Sequence, residues 1–399
     1  MEALLEKIRV ADQVTWRRWL HQHAELSFEE FETTAYIENL LRDVLNLTIE
    51  RPAPTGLVAT LHGAHPGKTI ALRADIDALP MHELADVPYK SINPGVMHSC
   101  GYDVHAAILL GAVFALADMR DAIHGDVKFI FQAAEEMPLG GAIALVEAGV
   151  LDDVDQIFGL HVFPMTKTGT VGFSYGAMTA SSDLFDLTIK GRGAHAMAPE
   201  QSVDPITIGT EIIQSINNMS ARRVAPTEAA LVSWGQFTAG TVNNIIPHTA
   251  HIKASVRSRN PQVRADMERM IRDIIEHVTA MYGAEYDLDF QKGYGSVMNA
   301  KEEMDLVLDT AKELLGEENT YPMPQLMAGE DFSAYTEIKP GAYFGLGSGL
   351  AEDGYEFVNH HPKFIVDEDC MPVGSAMFVK IVENILLFTE FCLKKYLPI

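Results

Sequence analysis

Three cysteines in 399 residues, Cys100, Cys370 and Cys392, are too few and too odd in number for a disulfide framework. A reducing compartment suits such a chain, and the cytoplasm is the expected location. Positive charge is scarce as well: 30 Lys and Arg stand against 55 Asp and Glu, a formal net charge of −25. A phosphate backbone needs a basic stripe, so nucleic acid is excluded as a partner. The longest apolar run, Ala106 to Ala117, falls short of the ~20 residues that span a bilayer, and no membrane partner is expected. The start, Met1-Glu-Ala-Leu-Leu-Glu-Lys, lacks the basic head and apolar core of an export signal. Internal repeats and a nucleotide-binding glycine fingerprint are also missing. Gly345-Leu-Gly347-Ser-Gly349 has the wrong spacing and reads as a turn.

What is present is globular: 47% hydrophobic and 21% charged residues, in a chain long enough for two domains. Helical spacing of apolar residues predicts helices over 2–20, 33–45, 106–119 and 140–149. Between them, strands are expected over 57–61, 69–73, 127–133 and 156–161. Such alternation predicts an α/β domain with a largely parallel sheet, whose sites gather at the carboxyl ends of strands. Asp75 and Asp77, Glu135 and Glu136, and His161 all stand at such ends. Near residue 180 the texture changes to half-exposed strands and long amphipathic helices. The segment 181–291 reads as an inserted β-α-β-β-α-β domain, with 1–180 and 292–399 forming a discontinuous catalytic domain.

The chemistry concentrates in a few places. Two adjacent carboxylates, Glu135 and Glu136, close an apolar strand, a costly arrangement unless a cation compensates them. His98-Ser-Cys100-Gly-Tyr102-Asp103-Val-His105 packs two imidazoles, a thiol and an acid into eight residues. Each is a metal-ligand type, although a polar loop capping the helix that follows has the same composition. His161 ends a strand, and His360 and His361 lie in Asn359-His-His-Pro362. His195 sits in Gly191-Arg-Gly-Ala-His195-Ala, as a turn or as a donor to a developing oxyanion.

Together these segments resemble the M20 metallopeptidase clan, subfamily D amidohydrolases, a group of aminoacylases, hippurate hydrolases, auxin-conjugate hydrolases and N-acetyl-diaminopimelate deacetylases. The marks run along nearly the whole chain: Leu20-His-Gln-His-Ala-Glu25-Leu-Ser, Arg73-Ala-Asp75-Ile-Asp77-Ala-Leu-Pro80, Met97-His-Ser-Cys100-Gly, Gln132-Ala-Ala-Glu135-Glu136, His161-Val-Phe-Pro164, Gly193-Ala-His195-Ala, Gly329-Glu-Asp-Phe332 and His360-His-Pro362.

The resemblance implies a zinc-peptidase-like catalytic domain with an inserted ferredoxin-like lid that also dimerises the chain. It implies two divalent metals, zinc or manganese with cobalt or nickel also compatible, held by Cys100, Glu136, His161 and His360. Glu135 is then the general base, Asp75 belongs to the catalytic set, and His195 stabilises the oxyanion across a dimer. Asn244 or Asn243 holds the substrate carboxylate. The implied activity is hydrolysis of the amide bond of an N-acyl amino acid or small peptide.

One position departs from the pattern: the family reads Cys-Gly-His-Asp with the histidine as a metal ligand, and here it is Tyr102. Tyr102 could ligate as phenolate, His98 or His105 could take its place, or one metal position could be weak. The last case leaves open a relative that binds but turns over weakly.

Overall fold

The computed structural model describes residues 2–137 and 140–387; Cys392 lies outside them. The chain forms two compact units. The larger comprises the described residues up to Gly176, Val297–Pro324 and those from Asp331 on; the smaller comprises Ala177–Ser296 and Gln325–Glu330.

The larger unit is built on an eight-stranded sheet. Its strands are β1 (Leu47–Glu50), β2 (Leu57–His62), β3 (His65–Asp75), β4 (His124–Gln132), β5 (Gln156–Phe163), β6 (Val171–Phe173), β11 (Thr320–Pro322) and β12 (Gly341–Gly347), in the order β1-β2-β4-β3-β5-β12-β6-β11. The centre is parallel as expected: β3 pairs with β4 and β5, and β5 with β12. The β1–β2, β2–β4 and β12–β6 pairs are antiparallel, so the sheet as a whole is mixed. Central strands are covered on both faces and read as continuous apolar runs, which hides their direction in the sequence. Gly345 and Gly347 lie inside β12 and not in a turn. A Cβ on Gly345 would stand 2.5 Å from Met323 Sδ, and one on Gly347 2.1 Å from the Lys167 carbonyl.

Helix α4 (Tyr102–Ala117) is the apolar run noted in the sequence, buried through Leu116. It packs against α2 (Val10–Gln22) and α9 (Cys370–Leu386). Gly111 of α4 leaves room for Gln13 Nε2, which donates to Ser375 Oγ at 2.7 Å. The helix expected over 2–20 is broken at Arg9, which takes a left-handed φ of 58° between α1 (Glu2–Lys7) and α2. At the break, Ile8 drops into the core and the Arg9 guanidinium lies 4.3 Å from the centre of the Phe114 ring. Helices α3 (Phe31–Leu41), α5 (Gly140–Glu147) and α8 (Lys301–Leu315) complete this unit's longer helices.

The smaller unit runs β7 (Asp183–Lys190), α6 (Pro205–Arg223), β8 (Ala230–Ala239), β9 (Thr249–Ser258), α7 (Pro261–Tyr282) and β10 (Glu285–Gln291). This is the β-α-β-β-α-β succession read from the sequence, in an antiparallel sheet of order β8-β9-β7-β10. Phe185, Leu187 and Ile189, alternating along β7, meet Ile208, Ile212 and Ile216 of α6 and Met267, Ile271 and Ile275 of α7. The period of two on the strand and of four on the helices puts all nine on facing surfaces. Asp204 and Asn260 cap the two helices by accepting from Ile206 and Gln262 N–H. Among the described residues no helix is long and apolar enough to cross a membrane.

Candidate metal centre

Beyond the end of β4, Ala134 adopts a left-handed φ of 57°, an uncommon conformation for a residue with a Cβ. Its N–H donates to Glu30 Oε1 at 2.8 Å, which holds the turn. The next two N–H groups, of Glu135 and Glu136, donate at 3.0 Å to the two oxygens of Asp77, which also accepts from Ser27 Oγ at 2.7 Å. Burial pushes the Asp77 carboxyl up to about 7 against those donors. Both glutamates therefore leave the sheet from one clamped backbone segment.

Cys100 reaches the same place from the start of α4. Gly101, at φ 96°, separates it from the helix, and a Cβ there would stand 2.6 Å from Val162 Cγ2, so only glycine fits. His161 projects from β5. Its Nδ1 faces its neighbour's carbonyl, Val162 O, at 2.8 Å, and its Nε2 lies 3.4 Å from Cys100 Sγ. Burial, with His105 nearby, lowers its pKa to about 3, so the ring is neutral. With Nδ1–H donating to the carbonyl, Nε2 presents its lone pair to the thiol. His360 also has a left-handed φ, 64°, and its N–H donates to Ser99 O at 2.8 Å. Its Nε2 comes 3.0 Å from Glu136 Oε1, and that carboxylate raises its pKa.

Cys100, Glu136 and His360 each offer a ligand atom within 4.8 Å of the others. Glu136 Oε1, although close to His360, makes no aligned hydrogen bond with it. These three gather in one place, and His161 Nε2 stands at the thiol. Burial, and then the charges of Glu136, Glu135 and Asp75, pushes the Cys100 thiol well above its ordinary range. A thiol, a carboxylate and two imidazoles fit a divalent cation, which would reverse the local charge balance and favour the thiolate.

Tyr102, the first residue of α4, is 2% exposed, and its hydroxyl donates to Glu135 Oε2 at 2.6 Å. Burial, with Cys100 and the surrounding carboxylates, drives its pKa well above the usual phenol value. It is a neutral hydrogen-bond donor to Glu135. Of the two histidines that could replace it, His105 is held by other residues and His98 stands beside His21. His105 Nδ1 contacts Asp75 Oδ1 at 2.5 Å and its Nε2 accepts from Val162 N–H at 3.0 Å. His98 is buried, its pKa lowered to about 4 by burial, and its ring centre lies 6.2 Å from that of His21.

Asp75 is turned away from the thiol, toward Arg73 and His105. Burial alone would raise it, but the Arg73 guanidinium and then His105 hold it well below the carboxylate range. Arg73 also donates from Nε to Gln132 Oε1 at 2.9 Å and from Nη2 to Asp331 Oδ1 at 2.6 Å. Behind α4, Asp103 Oδ2 meets Arg17 Nε at 2.7 Å and His21 Nδ1 at 2.8 Å, and His21 Nε2 reaches Glu83 at 3.1 Å. Sequence reasoning gave no role to Asp77, Glu30, Arg73 or Asp331. The available signal was a run of acids and one Arg at strand ends, where an unpaired charge is costly.

His195, Asn243 and Asn244 belong to the smaller unit and are exposed. The short strand Ala194–His195 pairs with Ile245–Ile246, and Ala196 N–H donates to Asn244 O at 3.0 Å. These separated residues thus meet on one surface. His195 Nδ1 accepts from Met197 N–H at 3.2 Å, which leaves Nε2 as the ring's N–H donor.

Residues 71–384 match the family model described as peptidase family M20/M25/M40. The thermostable carboxypeptidase 1 of Saccharolobus solfataricus is 36% identical over 382 residues, 93% of this chain and 96% of that protein. The N-acyl-L-amino acid amidohydrolase of Geobacillus stearothermophilus is 38% identical over 302 residues, covering 76% and 81%. Among solved structures, the Bacillus subtilis YXEP protein, described as a dinuclear metal binding peptidase from the M20 family, superposes with a TM-score of 0.82 at 34% identity, over 94% of this chain and 97% of that one.

Proposed function

The chain belongs to peptidase family M20/M25/M40, and from that premise we propose that it is a metal-dependent amidohydrolase cleaving the amide bond of N-acyl amino acids or small peptides. The observation that carries the reading is the convergence of Cys100, Glu136 and His360, with His161 at the thiol, beside a second carboxylate, Glu135. The carboxypeptidase and amidohydrolase named among its relatives both break an amide next to an amino-acid unit.

Cys100, Glu136, His161 and His360 would hold divalent metal, and the thiol and imidazole donors favour zinc over manganese. When bound, the metal supplies Lewis acidity toward a carbonyl oxygen and lowers the pKa of water. Glu135 accepts the proton that the attacking water loses and returns it to the departing amine nitrogen. Its Oε2 is oriented by Tyr102, and its backbone by Asp77. Asp75 acts through His105, as a positioning residue. His195 Nε2–H donates to the oxyanion, and Asn243 or Asn244 holds the substrate carboxylate. A reducing cytoplasm keeps the Cys100 thiol available. The open edge strands β8 and β10 of the smaller unit suit a homodimer.

The test strips the protein with a chelator, restores zinc or manganese, and assays N-acetyl and N-benzoyl amino acids and dipeptides. Metal-dependent release of a free amino acid is expected, and no release from any substrate with either ion refutes the reading. His195→Ala should lower kcat/KM by roughly 10²–10³-fold without changing metal content.

A further inference from the structure

The donor atoms of the larger unit can be counted against the ions they could hold. Cys100, Glu136 and His360 offer three donor atoms within 4.8 Å of one another, and His161 Nε2 stands 3.4 Å from the thiol, enough for one ion completed by water or substrate. A second ion at the thiol needs further donors, and Tyr102 and His105, the candidates on α4, are engaged with other residues. The Tyr102 hydroxyl carries its proton to Glu135 Oε2 at 2.6 Å. Both ring nitrogens of His105 are occupied, by Asp75 and by Val162 N–H. Asp75 is bound in turn to Arg73. To serve as a ligand, Tyr102 would have to give up its hydrogen bond to the base, and His105 would have to expose the Val162 N–H in a dry interior.

We infer that the centre is completed by a single divalent ion, and that Tyr102 is a positioning residue that closes a second metal position and aims the Glu135 carboxylate through its hydroxyl. The inference rests on the metal-dependent reading above. It distinguishes this chain from the relative described as dinuclear. A Tyr hydroxyl is neutral where a second ion would bring two positive charges. Glu135 is therefore held here by a hydrogen bond, and not by the field of a neighbouring cation.

The full-length protein is stripped with a chelator, reconstituted with excess zinc, freed of loose ions and analysed for metal per chain. One ion per chain is expected. Two ions overturn the inference but leave the amidohydrolase reading standing, whereas none overturns the metal-dependent reading itself. Titration with cobalt, followed by the thiolate charge-transfer band, gives the same count without any substitution: saturation at one equivalent supports the inference and saturation at two overturns it. Tyr102→His should raise the zinc count to two, and a count that stays at one overturns the assignment of Tyr102 as the residue that closes the second position. Tyr102→Phe should keep one ion and lower kcat by roughly tenfold with KM unchanged, as expected when a charge-assisted hydrogen bond to a base is lost. An unchanged kcat overturns the positioning role.

Discussion

Replacing Arg73 with Met removes the one cation that three buried acceptors share. The guanidinium is 1% exposed, and its nitrogens go to Gln132, Asp75 and Asp331. Met keeps the apolar stem but leaves two carboxylates, 0% and 1% exposed, without the charge that balances them. Asp331 retains N–H donors from Gln132 at 2.6 Å and Ala142 at 3.1 Å, and Asp75 retains His105. Breaking a buried pair costs about 3–5 kcal/mol, and the remaining donors place the pair of losses inside that range. At about 2–4 °C per kcal/mol, the melting midpoint should fall by roughly 6–20 °C.

The sign of the pH dependence is distinctive. In the wild type Asp75 is held below its ordinary pKa, so its contribution is present above about pH 4 and is lost as pH falls through the folded value. In Arg73→Met burial, the largest influence, is opposed by His105 without the guanidinium, and the folded pKa rises above the unfolded one. The penalty is then largest near pH 8 and shrinks as pH drops toward 4, where the carboxyls protonate. Tryptophan fluorescence in a Trp234→Phe background reports the larger unit alone, through Trp16 and Trp19. A midpoint drop equal at pH 5 and pH 8, or one under about 1 kcal/mol, refutes the argument.

Asp103→Asn should cost about 3–5 kcal/mol, because Arg17 and His21 lose a buried anion. Burial opposes both shifts, yet Arg17 and His21 depress Asp103, and Asp103 raises His21. The Asp103 contribution is present above about pH 4 and that of His21 below about 6.5, so denaturation across pH should find the largest penalty between those values and a smaller one at pH 8. Glu135→Gln should lower kcat by roughly 10²–10⁴-fold while zinc content stays unchanged, since Gln still accepts from Tyr102 but cannot take a proton; loss of the metal would count against the divided roles of Glu135 and Glu136. Asp77→Asn offers a donor where an acceptor is needed, so one of the two glutamate N–H groups loses its partner. The expected cost is about 1–3 kcal/mol in denaturant unfolding, with weaker zinc retention.

The candidate donors Cys100, Glu136 and His161 were legible because they sit at strand ends or at a helix start, where short-range patterns are strong. Glu136 follows an apolar strand, and Cys100 precedes helix α4, which is apolar from Ala106 on. The succession of the smaller unit was equally legible, since Asp204-Pro and Asn260-Pro announce its two helices. What stayed hidden depends on partners far along the chain. Arg73 meets Asp331 across 258 positions, and Ala134 meets Glu30 across 104. No periodicity encodes such pairs. The break at Arg9 was hidden for a related reason, because the spacing of Leu4, Leu5 and Ile8 is helical up to the break. The fate of Tyr102 likewise depended on geometry: a phenol can ligate or donate, and only the 2.6 Å approach to Glu135 separates the two.

Asp77 holds the N–H groups of two successive residues with its two oxygens. The carboxylates proposed as proton carrier and ligand are therefore yoked. A backbone shift that brings Glu135 nearer a substrate drags Glu136 by a similar amount, so reach cannot be traded against coordination one residue at a time. Divergence toward new acyl groups has to work on surfaces that leave this yoke untouched, such as the exposed loops around His195 and Asn243. The same chemistry can then be handed to different substrates by changing the part of the chain that holds none of the ligands.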